Sequence, residues 1–340
     1  MNIFTKWWNL LRYEPGDPRC YAGRTIKIVA IGGGTGLSTL LRGLKKYSDK
    51  ITAIVAVTDD GASSGVIRKE FDTLPPGDIR KCISALAYDE EMMAKLFEYR
   101  FSPSKKNFGG HTLGNIWITA LTEYFGSFEK AVEATTEIFK TAGRVLPGTL
   151  ENVNLGCKYT DGEEVFGEST FGDNNKRISK VFMDKKKVDA YPEAIKAIAA
   201  ADLIIIGPGS LYTSVIPNLL IDDMRVAIKN NKRALKVFAA NCSTEKGETE
   251  NYTIEDHIRA LQVHSSKKIV QFAIVNSNIL KQSDCASKLG EINNITTHQP
   301  EFGGIKIVRR DVISKDRPLY HDSEKLAEAI INLYNVKRNV

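Results

Sequence analysis

A doubly wound, mainly parallel α/β sheet with helices on both faces is what three features of this sequence predict. An apolar, β-rich run, "IKIVAI" (residues 26–31), passes through the glycine turn "GGGTG" into a stretch whose Leu37, Leu40, Leu41 and Leu44 share one helical face. A second apolar run, "ITAIVAV" (51–57), follows at once, giving the strand, turn, helix, strand opening of a parallel sheet. The alternation returns after residue 190 with "LIIIGPGS", "LKVFAAN" and "KIVQFAIVN", spaced by helix-like segments.

Along the chain, residues 1–25 read as an N-terminal arm. Trp7, Trp8, Leu10 and Leu11 stand beside Lys6 and Arg12 before a Pro/Gly break, and the arm is too short and too weakly charged to read as a membrane-surface helix. Residues 26–340 read as a single domain. Within it, residues 80–100 and 114–140 are helix-like, the second expected to bury Leu113, Ile116, Ile118, Leu121 and Phe125. The polar connector "SPSKKNFGGHTLGN" between them is of the kind that lines sites. Around residues 150–185 short alternating runs with an Asp161-Gly162 turn predict a small β insertion. "YPEAIKAIAA" and "YTIEDHIRALQ" then read as helices, the latter opened by a Thr253/Asp256 capping box. A last strand in "GIKIVRRDVI" and a closing helix "SEKLAEAIINLY" complete the pattern.

The 47 basic against 41 acidic residues leave a net charge of +6, which suits anionic ligands but is too dispersed for a nucleic-acid protein. The runs Lys185-Lys186-Lys187 and Lys267-Lys268 lack interleaved aromatics and read as solvated faces. Cys20, Cys82, Cys157, Cys242 and Cys285 are far apart and odd in number, which points to a cytoplasmic chain without a disulfide framework or zinc site. No apolar run approaches the length of a membrane span.

The turn over Gly32, Gly33, Gly34, Thr35 and Gly36 aims backbone N–H groups and a helix N-terminus at one point, as phosphate binding requires. It is not the dinucleotide fingerprint, because the place of the third glycine is Leu37 or Thr39, and no Lys-Ser/Thr follows as in Walker A. Tight strand–helix packing alone is the other use of such a turn. Asp59 and Asp60 in "VTDDGASSG" fall at the carboxyl edge of the second strand, where carboxylates hold sugar hydroxyls or a magnesium ion bridging phosphates. Ser63 and Ser64 add hydroxyls there, Asp78 and Arg80 open a helix in "PPGDIRKCISAL", and Gly207, Gly209, Ser210, Thr213 and Asn218 follow a buried strand. Convergence of several such loops on one edge argues for a ligand crevice.

Seven blocks carry a resemblance: "GGGTGLSTLLRGLK", "ITAIVAVTDDGASSG", "PPGDIRKCISAL", "GHTLGNIWITALTE", "GRVLPGT", "IIGPGSLYTSVIPNLL" and "NCSTEKGETENYTIEDHIRAL". In order and spacing they resemble the YvcK family of gluconeogenesis factors from about residue 26 to 330. The resemblance implies a Rossmann-like fold of CofD type and a cytoplasmic bacterial protein that binds UDP-sugars, notably UDP-N-acetylglucosamine. It also implies a link to gluconeogenic growth, cell shape and cell-wall precursor supply. Asn115, Tyr212 and Asn241 lie in the same blocks and complete the expected ligand-binding set. Where the family usually reads Asp-Asp-Gly-Gly-Ser-Ser-Gly this chain has Ala62, which would be strained if the position needs positive φ. The block at 241–253 and the C-terminal part departs further from the family pattern.

Two functional classes remain open on the sequence. In a CofD-type phospho-group transferase, Asp59 and Asp60 hold magnesium, His111 is the candidate acid/base and Arg144 offsets phosphate charge. In a sensor, the same residues bind UDP-sugar without turnover and bias a surface seen by a partner enzyme of amino-sugar or cell-wall metabolism. The resemblance favours the sensor. An NAD-dependent oxidoreductase is disfavoured by the broken fingerprint, and a homodimer is the assembly that the fold class and the apolar arm suggest.

Overall fold

The computed structural model describes residues 26–88, 93–172, 176–278 and 295–338; the N-terminal arm, Cys20 and Cys285 lie outside them. Eight strands form the main sheet: β1 (Ile28–Gly32), β2 (Ile51–Val55), β3 (Gly143–Pro147), β7 (Leu203–Ile206), β8 (Leu235–Ala239), β9 (Phe272–Asn276), β10 (Glu301–Phe302) and β11 (Ile305–Arg310). Their order is β10-β11-β9-β8-β7-β1-β2-β3, parallel throughout except for the β10–β11 pair. Every residue of β1, β2, β7 and β9 is buried, because helices cover both faces and leave none for water.

Alternate strand residues feed two separate cores. Ile28, Ala30, Ala53 and Ile205 point to one face, packed by α1 (Gly34–Leu44), α3 (Gly77–Leu86) and α11 (Ser323–Arg338). Val29, Ile31, Ile54 and Ile206 point to the other, packed by α7 (Pro192–Ala200), α8 (Ile216–Leu220), α9 (Asp222–Asn230) and α10 (Ile254–His264). The leucine stripe of α1 is fully buried, each side chain stabilising the fold by about 1.5–3 kcal/mol. At α10 both halves of the Thr253/Asp256 capping box form.

The stretch expected as a β insertion holds β4 (Leu155–Tyr159), β5 (Glu164–Phe166) and β6 (Ile178–Met183), a three-stranded antiparallel sheet with β4 central. Its Asp161 carboxylate accepts the Glu163 N–H at 3.1 Å and Gly162 takes positive φ, so the turn is where the dipeptide placed it. Leu155, Cys157, Tyr159 and Val181 fasten this sheet to the second core.

The helix-like stretches differ from expectation. The second is two helices, α5 (Leu113–Phe125) and α6 (Phe128–Ile138), because Gly126 turns left-handed at the end of α5 and Ser127 caps the start of α6. The first holds α3 and α4 (Met93–Glu98). Nor does α5 bury the expected apolar stripe. It turns Gly114, Asn115 and Thr119 inward with Ile118, while Phe125 is exposed. The reason is steric: a Cβ at Gly114 would lie 2.7 Å from the Arg80 side chain and the Phe97 carbonyl, so this polar face approaches where no bulkier residue fits.

Connections from β1 lead to β2 and β3 on one side, whereas β7, β8 and β9 lie on the other, so the strand order reverses between β1 and β7. Their carboxyl ends form a topological switch point, the place where open α/β sheets hold ligands.

Tight packing of α1 on α11 generates a stability prediction. A Cβ on Gly43 would fall 1.9 Å from the Ser323 carbonyl and 2.7 Å from Ala327 Cβ. Gly→Ala inside a helix normally gains about 1 kcal/mol, but Gly43→Ala is expected to lose about 1–3 kcal/mol by overpacking. A lower chemical-denaturation midpoint with an unchanged circular dichroism spectrum would show it; a gain would refute it.

Candidate functional site

The two glycine loops meet at the switch point. α1 begins directly after β1, with Gly33 as a cap that offers no side chain and with no acidic residue in the first turn. The first N–H groups of the helix are therefore left without intrahelical acceptors, and Gly34 adopts φ +64° to turn them outward. The loop after β7 crosses immediately above: a Cβ on Gly36 would lie 2.8 Å from Gly209 N. Asn218, fully buried, donates from Nδ2 to the Gly32 carbonyl at 3.2 Å and the Ser214 carbonyl at 3.0 Å. Asn241 holds Gly209 from both sides, accepting its N–H at 3.1 Å and donating to its carbonyl at 3.0 Å.

Between these loops opens a cavity of about 490 Å³, within the range typical of small-molecule sites. Of the residues singled out from sequence, Gly33, Gly34, Thr35, Gly36, Asp59, Asp78, Gly209, Ser210, Thr213 and Asn241 line it. Gly32, Gly207 and Asn218 stand behind the loops as supports. Tyr212 is buried, its hydroxyl 2.9 Å from that of Tyr252, and burial raises its phenol far above the usual range.

Other expected residues gather beside the cavity rather than in it. Asn115 Nδ2 donates to Ser63 Oγ at 3.0 Å, and Ser63 Oγ is also hydrogen-bonded with His111 Nδ1 at 2.9 Å. Arg80, buried, donates to Asn115 Oδ1 at 3.0 Å and pairs with Glu98. This chain of contacts braces the acidic loop from outside. Asp60 turns away, its Oδ1 accepting the Ser169 N–H at 2.8 Å. Arg144 lies near the start of β3, exposed and facing Glu193 at 3.8 Å, and is not brought to the cavity.

Acidic groups concentrate at one side. Asp59 accepts the Gly61 N–H at 2.9 Å and bonds Ser64, yet burial, with repulsion from Asp78, raises its carboxyl above the usual range. Glu168, reaching in from the β insertion, is raised well above its ordinary value by burial and then by Asp59 and Asp78. Lys81 bonds Asp78 Oδ1 at 2.9 Å; burial opposes its charge, but the ion pair prevails and its pKa is raised. Among the described residues, no group of three or more His, Cys, Asp or Glu side chains has the spacing to hold a metal ion. Asp59 and Asp78 nonetheless face one cavity, and magnesium is ordinarily held by one or two carboxylates together with ligand phosphates. The residues present fit such a shared ion.

Behind the opposite wall, Glu248 accepts from Thr213 Oγ1 at 3.0 Å, and burial, with the Glu245 charge, pushes it up to about 8. The segment 319–321 closes the rim there. His321 Nε2 donates to the Ala240 carbonyl at 3.0 Å, and burial lowers its pKa to about 4, so it is neutral near pH 7.

This geometry sits on a chain whose residues 28–316 match the model of the family described as 2-phospho-L-lactate transferase CofD. The chain belongs to the gluconeogenesis-factor branch of the CofD family. A Nostoc protein named "Putative gluconeogenesis factor" is 43% identical over 326 residues, covering 93% of this chain and 70% of that protein. One of the same name from Aquifex aeolicus is 41% identical over 323 residues, covering 91% and 97%. A crystal structure of a Bacillus halodurans member of the UPF0052 family is 37% identical with a TM-score of 0.86, covering 91% of this chain and all of that one.

Ala62 stands at φ +40°, in the left-handed region that favours glycine. Lys81, Glu168, Ser214 and residues 242–246 and 319–321 also line the cavity but were not singled out from sequence. Lys81 had a signal, one helical turn after Asp78. Glu168 and the 319–321 rim had none, since only the folding of the insertion and the C-terminal segment brings them near β1.

Two predictions follow from these positions. Ala62→Gly relieves backbone strain of about 1–2 kcal/mol, so the variant should unfold at higher denaturant; an unchanged midpoint would show that the loop carries no strain. Glu248 is raised from an unfolded value of about 4.3, so its stabilising contribution is full below that value and lost as pH rises toward about 8. Thermal melts across this range should show Glu248→Gln, which cannot ionise, losing less stability with rising pH than the native chain; parallel curves would refute the assignment.

Proposed function

We propose that this protein binds a nucleoside-diphosphate sugar as a regulatory ligand, without turnover. The observation that carries the reading is the backbone contact between two glycine loops at the switch point. It lines one cavity with free helix-terminal N–H groups beside Lys81, which suits a diphosphate. Carboxyl groups to either side, Asp59 and Glu168 on one and Glu245 on the other, are raised by burial and suited to sugar and ribose hydroxyls. The resemblance to the YvcK family supports uridine and N-acetylglucosamine as the nucleoside and sugar, and with them a cytoplasmic role in gluconeogenic growth, cell shape and cell-wall precursor supply. The regulated partner would be an enzyme of amino-sugar or cell-wall metabolism, and a homodimer is the proposed assembly.

Binding without turnover is supported by His111, which is committed to Ser63 and does not line the cavity. The second reading, a magnesium-dependent phospho-group transferase, is favoured by one observation. Asp78 abuts the glycine loop, 2.7 Å from where a Gly33 Cβ would be, and a phosphate there gains from a cation shared with Asp59.

Calorimetric titration with UDP-N-acetylglucosamine, UDP-glucose, GDP and NAD, with and without magnesium, tests both readings when each mixture is also analysed for products. Saturable UDP-sugar binding with the ligand recovered intact is expected. Magnesium-dependent product formation would replace the sensor with the transferase. Gly36→Ala, which forces the loops apart, should weaken UDP-sugar binding about tenfold or more through displaced phosphate donors while the chain stays folded; native affinity would remove these loops from the site.

A further inference from the structure

A second cavity, of about 330 Å³, lies between the small sheet and helices α8, α9 and α10, and none of its lining residues lines the first. One wall is basic: Lys180 on β6 and the run Lys185-Lys186-Lys187 that follows it. Lys185 pairs with Glu151 at 2.8 Å, Lys187 with Asp189 at 3.0 Å, and Arg225 with Asp222. Among the described residues, no ion pair engages Lys180 or Lys186. The floor is apolar, with Met183, Leu220 and Val263, the last 61% exposed although it sits at the end of a packed helix. Two ammonium groups without an ion pair among the described residues, beside half-buried Met183 and Leu220 and the exposed Val263, match a polypeptide segment that carries carboxylates beside an apolar side chain. A single-stranded nucleic acid would instead need an exposed stacking surface, and the two aromatic rings in the lining are already packed, Phe182 edge-on against Phe166 at 5.4 Å and the buried His264 edge-on against Tyr212 at 5.9 Å.

This groove is joined to the nucleotide cavity by one short segment. Ser210, Thr213 and Ser214 line the first cavity, and a few residues on, Leu220, Asp222 and Arg225 line the groove. Between them the Tyr212 ring meets His264 edge-on at 5.9 Å, and His264 Nε2 accepts the Val181 N–H at 2.9 Å on the groove side. A ligand that settles the loop after β7 thus acts on the same element that forms the groove wall.

We propose that this groove is the docking surface for an acidic, leucine-bearing segment of a partner protein, and that occupancy of the nucleotide cavity shifts its affinity. The second half rests on the nucleotide-binding reading above; the first does not.

The test is fluorescence anisotropy of a short labelled peptide of repeating Glu-Glu-Leu against the full chain, with and without saturating UDP-N-acetylglucosamine. Saturable binding is expected, weakened about tenfold or more by Lys180→Glu with Lys186→Glu, and by Val263→Glu alone. Lys105→Glu with Lys106→Glu, in the connector before α5, should leave it unchanged. Nucleotide should alter the peptide affinity severalfold, and linkage requires the peptide to alter nucleotide affinity by the same factor. Equal loss from the Lys105/Lys106 control, no loss from the groove variants, or equally effective displacement by a single-stranded oligonucleotide would overturn the docking surface. Peptide affinity indifferent to bound nucleotide would overturn the coupling. Calorimetry on the same samples separates these failures from a failure of nucleotide binding itself, because the peptide arms read the groove without nucleotide.

Discussion

The close backbone approach of the β1–α1 turn to the loop after β7 is the constraint on which the rest of the site depends. At 2.8 Å from Gly209 N, the place of a Cβ on Gly36 leaves no room for any side chain. The glycine turn therefore presents peptide N–H rather than side chains to the cavity, a surface that is already oriented and would cost little further ordering on binding an anion. Asn218 and Asn241 make that approach rigid. Each is a short side chain with donor and acceptor capacity, and each crosses from one loop or strand end to another where no backbone ladder reaches.

Around this neutral centre the protein concentrates carboxyl groups whose mutual repulsion it relieves only in part. Asp59, Asp78 and Glu168 lie close together with Lys81 bonded to Asp78 and Arg68 nearby, and Glu245 lies beside Glu248 on the other side. Holding such groups together costs stability, and at Asp59, Glu168, Glu245 and Glu248 burial converts the cost into raised pKa values, while Asp78 is paired with Lys81. Structural ion pairs elsewhere in the molecule, such as Lys158–Glu164 or Lys46–Glu324, are arranged in the opposite way, at the surface with opposite signs in contact. The contrast marks the cavity as a place where interactions are left for a ligand to complete.

The acidic loop shows how the site is supported from outside. Residues Ser63, Asn115, Arg80 and Glu98 form a continuous polar chain reaching from α2 (Ala62–Glu70) to α4 through α5 and α3. It explains why α5 turns a polar face inward: Asn115 is needed there as a junction, so its neighbours must be small. His111 terminates this chain, and its ring serves the loop rather than the cavity.

Local sequence patterns carried much of the fold. Periodic leucines in α1, unbroken apolar runs in β1, β2 and β7, and the Thr253/Asp256 box each specify an element through short-range physics, and each element stands where the pattern placed it. The glycine turns likewise announced backbone approach before any partner was visible. What lay beyond the sequence was everything decided by which elements become neighbours. Phe125 follows the helical stripe yet is exposed, because Gly114 sets the rotation of α5 against Arg80 and Phe97. Asp59 and Asp60 are adjacent and chemically identical, but one faces the cavity and the other bonds Ser169, since consecutive residues in a turn point in different directions. Glu168 and the 319–321 rim join the site only because the insertion and the C-terminal segment fold back over β1 and β8. The sequence alone determined the strands, the turns and the chemistry available; long-range packing, which short-range periodicity does not encode, decided which of those groups share one cavity.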